Sequence, residues 1–154
     1  MIFLNQSICP LCGNVISNQE NFISFPPFIP NAKDPLSVFN DNSVHLECLS
    51  NNPFKDQILY LKNKYELVQN SIKSEFSGIE DAKNILFFNL LTSIKNEPLY
   101  KYNFLYLDQQ DIEKWEEREI FLKEAKLFLE NGKWESISPF NFLKYLIEKI
   151  EEAV

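Results

Sequence analysis

Apolar residues beyond position 53 recur at helical spacing, whereas the first fifty residues show no such period. Phe54, Ile58, Leu61, Tyr65, Val68 and Ile72 follow one another at intervals of 4, 3, 4, 3 and 4, which places them on one helical face. Lys55, Asp56, Lys62, Lys64, Glu66 and Lys73 occupy the opposite face. The pattern predicts a helix that takes Pro53 as its first residue, runs to about Phe76 and ends at Ser77-Gly78. A second helix is expected from Asp111 as cap, through Ile112, Trp115, Phe121, Leu122, Ala125, Phe128 and Leu129, with Asn131-Gly132 as its stop. Ser138-Pro139 is a good cap pair for a last helix that turns Phe142, Leu143, Leu146, Ile147 and Ile150 inward.

Residues 85–92 form a continuous apolar run, which suits a buried strand or a buried helix. A turn at residues 95–98 separates it from residues 99–107, which are rich in strand-favouring aromatics. The pattern favours a β-hairpin here, the alternative being a helix from Ile79 to Ile94. Near the N-terminus, Ile2-Phe3-Leu4, Val15-Ile16 and Phe22-Ile23-Ser24-Phe25 are short strand candidates, the last two flanking the polar turn Ser17-Asn18-Gln19-Glu20. Pro26, Pro27 and Pro30 impose an extended crossing; the PxxP match they contain is read as structural. Asp34-Pro35 signals a turn, and the cluster Asn40-Asp41-Asn42-Ser43 announces a helix whose first turn carries His45 and Cys48. The fold class expected is α+β: a region over residues 1–52 and an α+β region over 53–154, sharing one core.

The chemistry sits in the irregular first third. Cys9-Pro10-Leu11-Cys12-Gly13 is answered 32 residues later by His45-Leu46-Glu47-Cys48, and these pairs use every cysteine and the only histidine. Structural zinc takes four tetrahedral ligands from thiolates and imidazoles, commonly as closely spaced pairs. Cys9, Cys12, His45 and Cys48 are therefore expected to hold one structural Zn²⁺ per chain. A redox dithiol at Cys9 and Cys12 would need the first sulfur at a helix N-terminus, and Gly13-Asn14 opposes a helix there. Disulfides are disfavoured by an odd cysteine count. Four good donors close the metal site, whereas a catalytic zinc keeps one position for water.

A Cys-x-x-Cys knuckle followed by a hairpin-like middle and a helix bearing His-x-x-Cys resembles a treble-clef finger. The ligand order is also similar to the first finger of a LIM domain. The resemblance covers about residues 8–50, implies zinc at the same four positions and, with 32 residues between the pairs, has a longer middle than a LIM finger.

Composition narrows the function classes. The formal charge is -7, and three bound thiolates with one divalent ion take it one unit further negative. Such a chain is a poor partner for nucleic acid or an anionic membrane surface, both of which are bound through Lys and Arg. It suits a basic protein partner met by electrostatic steering. Glycines 13, 78 and 132 form no phosphate-cradling loop, and His45, committed to metal, is not free to serve a nucleophile. HNH nucleases, built on treble-clef scaffolds, need a further catalytic histidine that this chain lacks. Glu116 and Glu119 are read as solvated charge on a glutamate-rich helix. Residues 1–4 carry no positive leader and no apolar run approaches a spanning helix, so a cytoplasmic location is expected.

The expectation is a non-catalytic, zinc-stabilised protein that binds another protein. A small, acidic chain of this kind with an aromatic-rich α+β core resembles bacterial immunity proteins, which cap basic toxins. The alternatives are an adaptor or regulatory finger within another complex and an enzyme of unrecognised type.

Overall fold

The computed structural model describes residues 2–76, 78 and 82–153. The fold is α+β. Two small antiparallel pairs, β1 (Phe22–Ser24) with β2 (Ser43–His45) and β3 (Ile85–Phe87) with β4 (Tyr106–Asp108), are embedded among helices. Four α-helices lie wholly within the described residues: α1 (Leu46–Ser50), α2 (Lys55–Glu75), α3 (Arg118–Glu130) and α4 (Phe142–Glu152). Short 3-10 turns occupy Ser37–Phe39, Pro98–Tyr102 and Gln109–Lys114. Among the described residues, no helix is long and apolar enough to cross a membrane.

The periodic segments fold as their spacing dictates, with shifted ends. Helix α2 buries Ile58 and Leu61, while Tyr65 and Val68 pack at its margin. It starts at Lys55 rather than Pro53, because the Asn52 side chain accepts from Phe54 N–H at 2.9 Å and holds Pro53 in the turn before it. Its last helical residue is Glu75; Ser77 of the expected stop lies outside the described residues. Helix α4 is capped by Asn141, whose Oδ1 accepts from Lys144 N–H at 3.0 Å, and not by Ser138. Ser138 Oγ instead accepts from Phe140 N–H in the preceding turn.

The helix expected from Asp111 to Leu129 is divided. Asp108 caps the 3-10 turn by accepting from Gln110 N–H, the backbone extends at Trp115, and α3 begins only at Arg118. The break lets Trp115 join Phe88, Tyr102 and Phe121, with ring centroids 5.1–5.9 Å apart in the contacts among them. Helix α3 does stop at Gly132, which adopts φ +68°; the N–H groups of Gly132 and Lys133 return to the carbonyls of Leu129 and Phe128, the pattern of a Schellman cap.

The hairpin expectation for residues 85–107 holds at its root, where Ile85 faces Asp108 and Phe87 faces Tyr106. The remaining aromatics do not continue the strand. Residues 98–102 wind into the 3-10 turn, and Asn89 and Phe104 take positive φ values of 55° and 60° as the chain turns inward. Asn103 holds this loop, accepting from Leu91 N–H and Thr92 N–H and donating to Thr92 C=O.

Among the described residues, buried side chains form two clusters. One gathers Phe25, Phe28, Ile29, Leu36, Phe39, Val44, Ile58 and Leu61 with Cys9, Leu90 and Phe104; the other gathers the aromatic quartet with α3 and α4. Phe28 and Ile29, the residues inside the PxxP match, are fully buried, so that segment is a core crossing. Phe28 stacks on Tyr65 at 5.2 Å, and its carbonyl accepts from Leu90 N–H. Two polar ties join segments distant along the chain. Asn31 donates to Lys133 C=O and accepts from Glu135 N–H, and buried Asp34 accepts from Ser93 N–H, Ser93 Oγ–H and Leu36 N–H.

Candidate metal centre

Residues 8–15 fold back on themselves. Ile8 and Val15 form an antiparallel bridge, Cys9 N–H donates to Asn14 C=O, and Gly13 N–H donates to Cys9 C=O at 2.8 Å. Gly13 adopts φ +76°, a conformation that a side chain would strain, and this closes the knuckle with Cys9 and Cys12 at its tip. Ile2-Phe3-Leu4 is not a strand; the Phe3 carbonyl accepts from Gln6 and Ser7 N–H, and the resulting turn is tied to the knuckle by Asn5 N–H donating to Ile16 C=O.

The second ligand pair is placed differently from the expectation. Phe22–Ser24 pairs with Ser43–His45, not with Val15-Ile16, and the register sets Phe22 opposite His45. His45 is thus the end of a strand and the N-cap residue of α1, while Cys48 lies in the helix's first turn. The polar cluster at residues 40–43 did not start a helix. Val44 is needed in the core on β2, and Ser43 Oγ pairs with Ser24 Oγ across the strands at 2.6 Å.

All four expected residues converge. The three Sγ atoms and one ring nitrogen lie within 4.8 Å of one another. His45 Nδ1 is 3.4 Å from Cys12 Sγ and 3.7 Å from Cys48 Sγ. Zinc–sulfur and zinc–nitrogen bonds of about 2.3 and 2.0 Å at a tetrahedral angle put ligand sulfur and nitrogen about 3.5 Å apart. The donor set and its spacing therefore fit one tetrahedral ion. Cys9 and His45 are buried, Cys48 is half-buried, and Cys12 is exposed at the edge of a shallow depression of about 370 Å³.

His45 uses Nδ1 toward the sulfurs, and its other nitrogen, Nε2, donates to Glu20 Oε2 at 3.2 Å. The same carboxylate oxygen accepts from Ser17 N–H at 2.9 Å. A carboxylate behind a metal-binding histidine fixes its tautomer and raises its basicity. The sequence reading took Glu20 only as part of a polar turn. Its signal was the Ser17-x-x-Glu20 spacing, which brings a glutamate back onto a backbone N–H.

Proton affinities in the metal-free cluster follow from this geometry. Burial pushes the Cys9 thiol up, but backbone N–H groups of His45, Leu11 and Cys12 favour the thiolate and bring it to about 7. Cys48 is pushed up to about 12 by burial and by sharing the site with Cys12 and Cys9. Burial lowers the proton affinity of His45, yet Cys12, Cys9 and Glu20 outweigh it and raise the ring to about 9. Glu20 is held below the usual carboxylate range by Ser17, then by His45. An ion that occupies this site must displace protons from Cys48 and His45 near neutrality.

Glu116 and Glu119 lie on the surface; Glu119 is an exposed partner of Arg118, whose guanidinium also donates to Ile150 C=O. Comparison with family models, with curated proteins and with solved structures finds no match.

Proposed function

We propose that this chain is a non-catalytic, zinc-stabilised protein that acts by binding another protein, in the manner of an immunity protein that neutralises a basic bacterial toxin in the cytoplasm. The observation that carries the zinc assignment is the convergence of every cysteine and the sole histidine on one tetrahedral point, backed by Glu20. Knuckle, β1–β2 pair and α1 follow one another in the order of a treble-clef finger. Four protein donors leave no coordination position for water, which favours a structural over a catalytic ion. The formal charge of -7 favours a cationic partner.

The test is purification of the tagged full-length chain from its native host, with metal analysis and intact mass of what elutes. One zinc per chain together with one stoichiometric basic protein, whose toxicity the chain suppresses, is the expected result. Zinc-loaded chain without such a protein overturns the immunity reading. Chain that folds fully and elutes metal-free overturns the zinc assignment.

A further inference from the structure

We propose that the metal-bearing face of the finger is the surface that receives the partner, and that its occupant is a basic protein segment carrying an apolar anchor. The inference rests on the protein-binding reading above and adds where binding occurs and what chemistry it selects.

The finger exposes apolar side chains that its own fold leaves uncovered. Ile8 is 58 % exposed and Val15 45 % exposed, and as antiparallel bridge partners they stand side by side. Phe3, 58 % exposed, is carried by the turn tied to the same knuckle. Val15 adjoins Asn14, which lines the depression over Cys12, and exposed Leu46 lines the same depression. Clustered apolar exposure with a polar surround marks interaction surfaces.

Charge selects the occupant. Residues 1–54 hold Glu20, Asp41 and Glu47 outside the core, with Asp34 buried, against one lysine, Lys33, whose ammonium is turned away to Gly132 C=O. The depression has Glu20 and Glu47 in its wall and neither Lys nor Arg. Among the described residues Glu47 makes no ion pair, and no lysine or arginine stands near it in the depression, whereas the helical part interleaves its carboxylates with lysines, some of them paired as in Lys101–Glu117 and Lys133–Glu97. Three thiolates around one divalent ion add a further net negative charge at this place. A second copy of the chain would set these carboxylates against one another, and nucleic acid or anionic lipid would be repelled. A basic segment with an apolar side chain meets both features.

The experiment compares the zinc-loaded full-length chain with Ile8→Glu, Glu47→Lys and, on the exposed face of α2, Tyr60→Glu as control. Each variant is first shown to hold one zinc, and each is then measured for affinity to the protein captured by the wild type. The expected result is a basic partner whose affinity falls about tenfold or more with Ile8→Glu and with Glu47→Lys, and is unchanged with Tyr60→Glu. Undiminished binding by both finger variants overturns the assignment of this face and leaves the protein-binding reading standing. An equal loss in all three also overturns the face. Capture of an acidic partner, or of none, overturns the inference and the basic-partner reading together.

Discussion

Replacing Glu20 with Ala tests whether the carboxylate behind His45 tunes a metal ligand or merely closes a turn. Glu20 Oε2 lies 3.2 Å from His45 Nε2, and either a proton or a metal ion on Nδ1 makes the ring more positive. The carboxylate therefore favours both, and its removal weakens both. Loss of such a partner typically weakens metal binding 10- to 100-fold, and solvent at this half-exposed side chain puts the expectation near tenfold. That deficit is fully visible only above about pH 9, where wild-type His45 has lost its competing proton. At pH 7 protons compete less strongly with zinc for the variant's ring, because without Glu20 that ring holds its proton less tightly, so the apparent deficit should shrink to roughly two- or threefold. Competition against a chromophoric chelator at pH 7 and pH 9.5 reads both values. Glu20→Gln, which retains an acceptor for Ser17 N–H but not the charge, should fall between wild type and Ala. Equal zinc affinities at pH 9.5, or a deficit independent of pH, would refute the reasoning.

Three further outcomes follow from the geometry. Protons held by His45 to about 9 and by Cys48 to about 12 must both leave on loading, and Cys9 at about 7 must give up part of another, so apparent zinc affinity should fall about a hundredfold or more from pH 8 to pH 7; a chelator titration giving a slope near zero contradicts the cluster. Cys48→Ser should abolish stoichiometric zinc and loosen the first buried cluster, against which Cys48 packs; metal analysis with amide hydrogen exchange checks it, and a zinc-loaded variant with native protection removes Cys48 from the ligand set. Asp34→Ala leaves the N–H groups of Leu36 and Ser93 and the Ser93 hydroxyl without their buried acceptor, so it should cost about 3 kcal/mol or more in denaturant unfolding; a loss below about 1 kcal/mol would show that water replaces the carboxylate.

What the sequence determined by itself was local or compositional. The paired spacing of Cys9, Cys12, His45 and Cys48 marked the metal cluster, because two residues between ligands suit one ion whatever the intervening chain does. The stripe from Phe54 to Ile72 specified α2, because the period of 3.6 residues is a property of the helix itself. Gly132 specified where α3 stops for the same kind of reason. Tertiary structure decided the rest. His45 ends a strand instead of entering a helix because Val44 is drawn into the core and β2 finds β1 21 residues upstream of its histidine, counting from Ser24. The helix expected at Asp111 breaks because Trp115 reaches the rings of Phe88 and Tyr102. Glu20 reaches His45 across 25 residues, and Asp34 reaches Ser93 across 59. Contacts between residues so distant leave no periodic trace, since they depend on which buried surfaces meet once the chain has closed upon itself.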